Sequence, residues 1–180
     1  DEIRHSLAHL LAAAALEEHP GAKLTLGPAI ENGFYYDIEF PPNVKLGTDD
    51  LARIEGKMRE ILPTWDEFVG REVSAEEARE TFAGNPFKLE LIDEIEKKGE
   101  KITLYTSGGF IDLCRGGHVN SAKDIPPDSW RLDKIAGAYW RGDEKNPMLT
   151  RIYGMAFENK KKLEEHLAMR EEAEKRDHRK

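Results

Sequence analysis

The chain has 180 residues and a mass of 20.5 kDa, 39% of them hydrophobic and 34% charged, which is one domain's worth with enough apolar content to bury a core. No apolar run approaches the roughly 18 residues needed to cross a bilayer, and a net charge of −8 excludes indiscriminate binding to polyanions. Acid outnumbers base two to one over residues 1–100 whereas residues 101–180 are slightly basic, so any nucleic-acid contact is expected to be local and C-terminal.

Ile3, Leu7, Leu10, Leu11, Ala14 and Ala15 recur at helical spacing with alanines between them, predicting a helix over 2–18 that His19-Pro20-Gly21 stops. Two β-rich runs, 23–30 and 34–40, flank Glu31-Asn32-Gly33, and an Asn-Gly pair in that setting predicts a hairpin. Beyond Pro41-Pro42, Thr48 or Asp49 is expected to cap a helix with Leu51, Ile54, Met58, Ile61 and Leu62 as its stripe. A strand is predicted over 65–73. Ser74 followed by Glu77 then reads as a capping box, and Asn85-Pro86 starts a further helix carrying Leu89, Ile92 and Ile95. From 102 to 157 the chain turns β-rich, with strands predicted over 102–105, 109–114, 130–140 and 149–157. Residues 158–180 are highly charged with a thin Leu163/Leu167 stripe, expected as an exposed connecting helix. The order of elements predicts an α+β fold, a mostly antiparallel sheet packed with helices and followed by a C-terminal linker helix.

Cys114 is the only cysteine and cannot form an internal disulfide, which suits a reducing compartment; no signal-peptide pattern opens the chain, and a cytoplasmic location is expected. Its ordinary fate would be that of a small buried hydrophobe. It stands, however, in Asp112-Leu113-Cys114-Arg115-Gly116-Gly117-His118, where Arg115 and His118 are expected to favour the thiolate and Asp112, two residues away, shares its strand face. His5 and His9 lie four apart on one face of the first helix. The two pairs together supply four groups of the kinds that bind zinc or activate water. Lys88, read alone, is an ordinary helix lysine.

Five segments carry a resemblance: His5-Ser6-Leu7-Ala8-His9, Gly33-Phe34-Tyr35-Tyr36-Asp37, Asp112 to His118, Gly137-Ala138-Tyr139-Trp140-Arg141-Gly142-Asp143 and Arg151-Ile152-Tyr153-Gly154. In this order they resemble the editing domain of bacterial threonyl-tRNA synthetase, related to that of alanyl-tRNA synthetase, over nearly the whole chain. Gly117 stands where the family often has proline, so the loop before His118 is expected to have more backbone freedom.

The resemblance implies post-transfer editing: hydrolysis of the serine ester of Ser-tRNA(Thr), with the tRNA(Thr) 3′ end as partner. A second sieve is needed because serine lacks one methyl of threonine, worth about 1–3 kcal/mol in a pocket. It implies a pocket of His5, His9, Cys114 and His118, with Lys88, Asp112, Tyr36 and Tyr105 around them. In that pocket His5 is expected as general base and Lys88 as the group that orients water or stabilises negative charge. His9, Cys114 and His118 would position substrate and ribose, Asp112 would orient a donor, and the tyrosines would form the wall. Residues 1–157 are then the editing domain and 158–180 a linker helix leading to a class II catalytic core beyond this chain. No cofactor is expected for editing, ATP and zinc belonging to that core; if zinc binds here, its ligands are His5, His9, Cys114 and His118. The fragment is expected to be monomeric and its parent enzyme a homodimer, with no membrane partner. Two alternatives stand beside this reading: a zinc-structured module that grips the tRNA acceptor stem, and a free-standing deacylase acting in trans. Arg131, Arg141 and Arg151 are expected either to contact tRNA or to form surface salt bridges.

Overall fold

A computed structural model describes residues 2–114 and 121–177. Helix α1 (Glu2–Glu18) leads into two short strands, β1 (Lys23–Leu24) and β2 (Ala29–Ile30), and a long one, β3 (Gly33–Glu39). There follow α2 (Thr48–Ile61), β4 (Val69–Val73), α3 (Ala75–Thr81), α4 (Pro86–Lys97), β5 (Ile102–Ser107) and β6 (Phe110–Cys114). The chain then forms β7 (Trp130–Tyr139), β8 (Met148–Ala156) and α5 (Lys160–Asp177). The α+β class matches the expectation, and among the described residues every strand pairing is antiparallel. Among the described residues no helix is long and apolar enough to cross a membrane.

The strands divide into two sheets, which local patterning cannot reveal. The larger runs β1-β3-β8-β7 with β2 also on β3, and the smaller runs β4-β5-β6. Helix α1 lies between α2 and the larger sheet, so Ser6 to Ala15 are all buried and the helix has no solvent-facing side over that stretch. This explains its alanines, since small side chains let backbones approach from both directions. Leu7, Leu10 and Leu11 of α1 join Phe34, Tyr36 and Ile38 of β3, Ile54 and Met58 of α2, and Trp130 of β7 in the main core. Each such side chain stabilises the fold by about 1.5–3 kcal/mol over its exposed state. The smaller sheet turns Ile102 toward Ala78 of α3 and Ile92 and Ile95 of α4, with Val73 and Leu113 packed against them. Its opposite face, bearing Phe110, Asp112 and Cys114, looks back at α1.

Several local expectations shift. The hairpin turn is Glu31-Asn32 rather than Asn32-Gly33, because Ile30 pairs with Gly33 and Asn32 takes the positive φ of 57°. Gly33 is needed for another reason: a Cβ there would sit 2.3 Å from the Gly154 carbonyl oxygen. Helix α2 is capped by Gly47 rather than by Thr48 or Asp49; its backbone N–H donates to Asp50 Oδ2 at 2.6 Å. The strand expected over 65–73 shortens to 69–73, since Trp65 and Phe68 turn into the core. The predicted caps Ser74 and Asn85 accept from Glu77 N and from Phe87 N and Lys88 N, respectively.

Candidate active site

The site lies where α1, β3, β6 and α4 meet, and it is built outward from Asp112. This carboxylate is 1% exposed, carried on β6 with its side chain toward α1. Its Oδ2 accepts from His9 Nδ1–H and from the Tyr36 hydroxyl, both at 2.8 Å, while Oδ1 accepts from its neighbour's amide, Leu113 N, at 2.8 Å. Lys88 Nζ approaches Oδ1 at 2.7 Å. Lys88 is itself 1% exposed, in the first turn of α4 that Asn85 and Pro86 set. Its ammonium also donates to the Thr25 carbonyl at 2.8 Å and to Tyr36 Oη at 3.0 Å. An ammonium has three donors and all three are spent. Charge is therefore compensated before any ligand arrives. Burial alone would raise the Asp112 pKa, but Lys88 and His9 outweigh it and hold the carboxyl well below the usual range. Burial also disfavours charge on His9, yet its bond to Asp112 and the proximity of Cys114 raise it to about 9. Tyr36 is pushed well above its ordinary value by burial and the Asp112 charge.

His5 stands one turn before His9, and their rings stack with centroids 5.1 Å apart at 16°. Cys114 Sγ lies 2.9 Å from His5 Nε2. Burial pushes the thiol up, but the two histidines bring it down to about 7, which favours the thiolate. His9 Nε2 is buried and has no hydrogen-bond partner among the described residues. These groups open into a cavity of about 460 Å³ with Lys88, Tyr36 and Asp112 also in its wall and Leu26, Pro28, Lys98 and Arg141 among its lining. Gly27 is required at its side, since a Cβ there would fall 2.1 Å from the Tyr36 ring.

The expected residues His5, His9, Lys88, Asp112, Cys114 and Tyr36 are thus brought together. Tyr105 is not in that wall; it lies on another side of His9, ring centroids 6.0 Å apart, beside a small void shared with Trp65 and Phe68. His118 and the neighbouring Arg115, each expected to act on Cys114, lie outside the described residues; among the described residues His5 and His9 lower the thiol. Sequence reasoning missed the Thr25 carbonyl, because a backbone acceptor has no residue signature, and the role of Gly27-Pro28, which reads as part of the β-rich run over 23–30 but separates β1 from β2. Arg141 and Arg151 form salt bridges, Arg141 with Glu90 and Glu94 and Arg151 with Asp37.

His5, His9 and Cys114 each offer a ligand atom, all within 4.8 Å of one another. The unpartnered His9 Nε2 and the Asp112 carboxylate behind the same ring suit a zinc ligand and its supporting shell. These three residues fit the metal and would hold it, and it would supply a Lewis acid to a bound water.

The family described as the threonyl and alanyl tRNA synthetase second additional domain matches residues 102–153, the stretch that holds Asp112 and Cys114. Among curated relatives, the threonine–tRNA ligase of Rubrobacter xylanophilus is 53% identical over 98% of this chain and 27% of its own length. That of Treponema pallidum is 51% identical over 100% of this chain and 30% of its own. The enzyme of the same name from Borreliella burgdorferi is 49% identical over 98% and 30%. The chain spans less than a third of the length of the curated relatives it matches. With a family model matching residues 102–153 and relatives of this identity over essentially its full length, the chain belongs to the threonyl-tRNA synthetase family, as its editing-domain segment.

Proposed function

We propose that the chain hydrolyses the ester of mischarged Ser-tRNA(Thr). What carries this reading is the convergence of His5, His9 Nε2 and Cys114 on one cavity, backed by a charge-compensated Asp112–Lys88–Tyr36 network. His5 accepts a proton from a water that attacks the ester carbonyl. His9, held as imidazolium by Asp112, donates its free Nε2–H to the developing oxyanion. As the carbon–oxygen bond to the ribose breaks, His5 returns the proton to the ribose oxygen. Lys88, with its three donors engaged, acts by fixing Asp112 and Tyr36 rather than by touching water. His118 and Cys114 position substrate and ribose, and Tyr105 supports the His9 side of the pocket. Serine is accepted and the extra methyl of threonine excluded by steric conflict. Residues 1–157 act as the editing unit and 158–180 connect to a catalytic core, in a cytoplasmic, homodimeric parent enzyme. Zinc and ATP are not required for this step.

A second reading has a specific observation behind it. Cys114, with its thiol near 7 and 2.9 Å from His5 Nε2, has the geometry of an activated nucleophile. Its sulfur, giving its proton to His5, would attack the carbonyl; the carbon–oxygen bond to the ribose would break as His5 returned that proton to the ribose oxygen, leaving a seryl thioester for water to cleave. Single-turnover deacylation of Ser-tRNA(Thr) and Thr-tRNA(Thr), with and without a chelator, tests both readings. Selective serine release that survives chelation and persists in Cys114→Ala supports the water route. A trapped thioester and an inactive Cys114→Ala support the covalent one. If the chain releases neither amino acid and binds no seryl-adenosine analogue, both are refuted.

A further inference from the structure

The face of the larger sheet turned away from α1 carries a row that the cavity chemistry does not use. Tyr35 of β3 and Tyr153 of β8 are direct cross-strand partners, and Lys134 of β7 is the next residue in the same row. The two rings sit 5.6 Å apart at 53°, and both are half-buried. Each ring has a cation over it: the Arg151 guanidinium 4.0 Å from the Tyr35 centroid and the Lys134 ammonium 4.8 Å from that of Tyr153. Arg151 is committed to Asp37 through two bonds of 2.7 and 2.9 Å. Lys134 is exposed and has no carboxylate partner among the described residues.

Among the described residues, helices meet this face at its two ends. Leu149 of β8 is packed under Phe87 and Leu91 of α4 and Trp140. At the other end, the β7 bulge projects Asp133 to Arg170 of α5, at 2.9 Å. The Tyr35–Tyr153–Lys134 row lies between them, one strand from the cavity lip: Tyr35 N–H donates to the Pro28 carbonyl at 3.2 Å, and Asp37 N–H to that of Leu26 at 2.8 Å. Aromatic rings on an open sheet face, with cations at hand, recognise unpaired bases by stacking and their phosphates by charge. The chain is acidic overall, so polyanion binding needs a local patch of this kind.

We propose that this row binds the single-stranded 3′ end of the RNA substrate, stacking nucleotides that precede the terminal one while the aminoacylated nucleotide occupies the cavity. The proposal rests on the ester-hydrolysis reading above. Its test is an NMR titration of the chain with an RNA tetranucleotide ending in CCA, beside an abasic tetranucleotide and a phosphate-free seryl-adenosine analogue. The expected result is saturable shifts of the Tyr35 and Tyr153 ring signals with RNA, and Kd raised at least about fivefold by Tyr153→Leu, by Lys134→Ala and by removal of the bases. The analogue, confined to the cavity, should bind parent and variants alike. Unshifted ring signals, equal binding of the abasic strand, or unchanged Kd in the exposed Lys134→Ala variant would overturn the proposal. Failure of the analogue alone would instead overturn the reading of the cavity, leaving RNA binding at the row intact.

Discussion

Lys88→Met removes the ammonium that holds Asp112 while keeping an unbranched chain of similar length in α4. The variant leaves a carboxylate that is 1% exposed with His9 as its remaining cation, and strips the Thr25 carbonyl of its Lys88 partner. Breaking a buried ion pair by removing one partner costs about 3–5 kcal/mol. In a protein of this size each kcal/mol lowers Tm by about 2–4 °C, so the midpoint should fall by about 10 °C. Asp112→Asn should cost a comparable amount, since it leaves Lys88 charged and buried. The double variant Lys88→Met/Asp112→Asn should be less destabilised than the sum of the two, with a coupling of at least about 1 kcal/mol. Urea unfolding of the parent and the three variants at pH 7 measures the cycle. Single losses below 1 kcal/mol with strict additivity would refute the buried network.

Other consequences follow from the same contacts. Alkylation of Cys114 should show a rate midpoint near pH 7 that moves up toward that of an ordinary thiol in His5→Ala; a parent midpoint above 8.5 would contradict the His5–Cys114 pairing. His9, raised from 6.5 to about 9, stabilises the fold fully below pH 6.5 and loses that contribution as pH rises through 9. Cys114, lowered from 9.0 to about 7, has the opposite sign: its contribution is complete above 9 and lost as pH falls through 7. The two contributions oppose one another and share the His9–Cys114 interaction, so parent stability should change little between pH 7 and 9. Cys114→Ala should instead lose stability over that interval; a flat profile in that variant would count against a charged His9. Gly27→Ala should drive the Tyr36 ring off Asp112, costing about 1–3 kcal/mol in urea unfolding and slowing deacylation, whereas parent-like values would mean the ring has room to move.

Much of this was legible in the residues. The α1 spacing placed His5 and His9 on one face, and strand alternation placed Asp112 with Cys114, because both periodicities are local properties of backbone geometry. Those two facts alone assemble most of the site once β6 faces α1. What was not legible is what depends on distant backbone. Lys88 reads as a surface lysine until the Thr25 carbonyl, 63 positions away in sequence, is seen to take one of its protons. The division of strands into two sheets is likewise a matter of pairing, which composition leaves open. Tyr105 and Tyr36 look alike as residues, yet one lines the cavity and the other sits apart from it, since β5 and β3 approach His9 from different sides. The Asn32-Gly33 turn is displaced by one residue because Gly33 is used for close strand contact, a demand only the sheet reveals.

The most direct test of the central claim is single-turnover deacylation of Ser-tRNA(Thr) by the parent and by His5→Ala, with Thr-tRNA(Thr) as the control. The parent should release serine selectively, and the variant should lose at least about 100-fold in rate, as expected for removal of a general base, while still binding a seryl-adenosine analogue. Parent-like release by His5→Ala, or equal release of serine and threonine by the parent, would contradict the account.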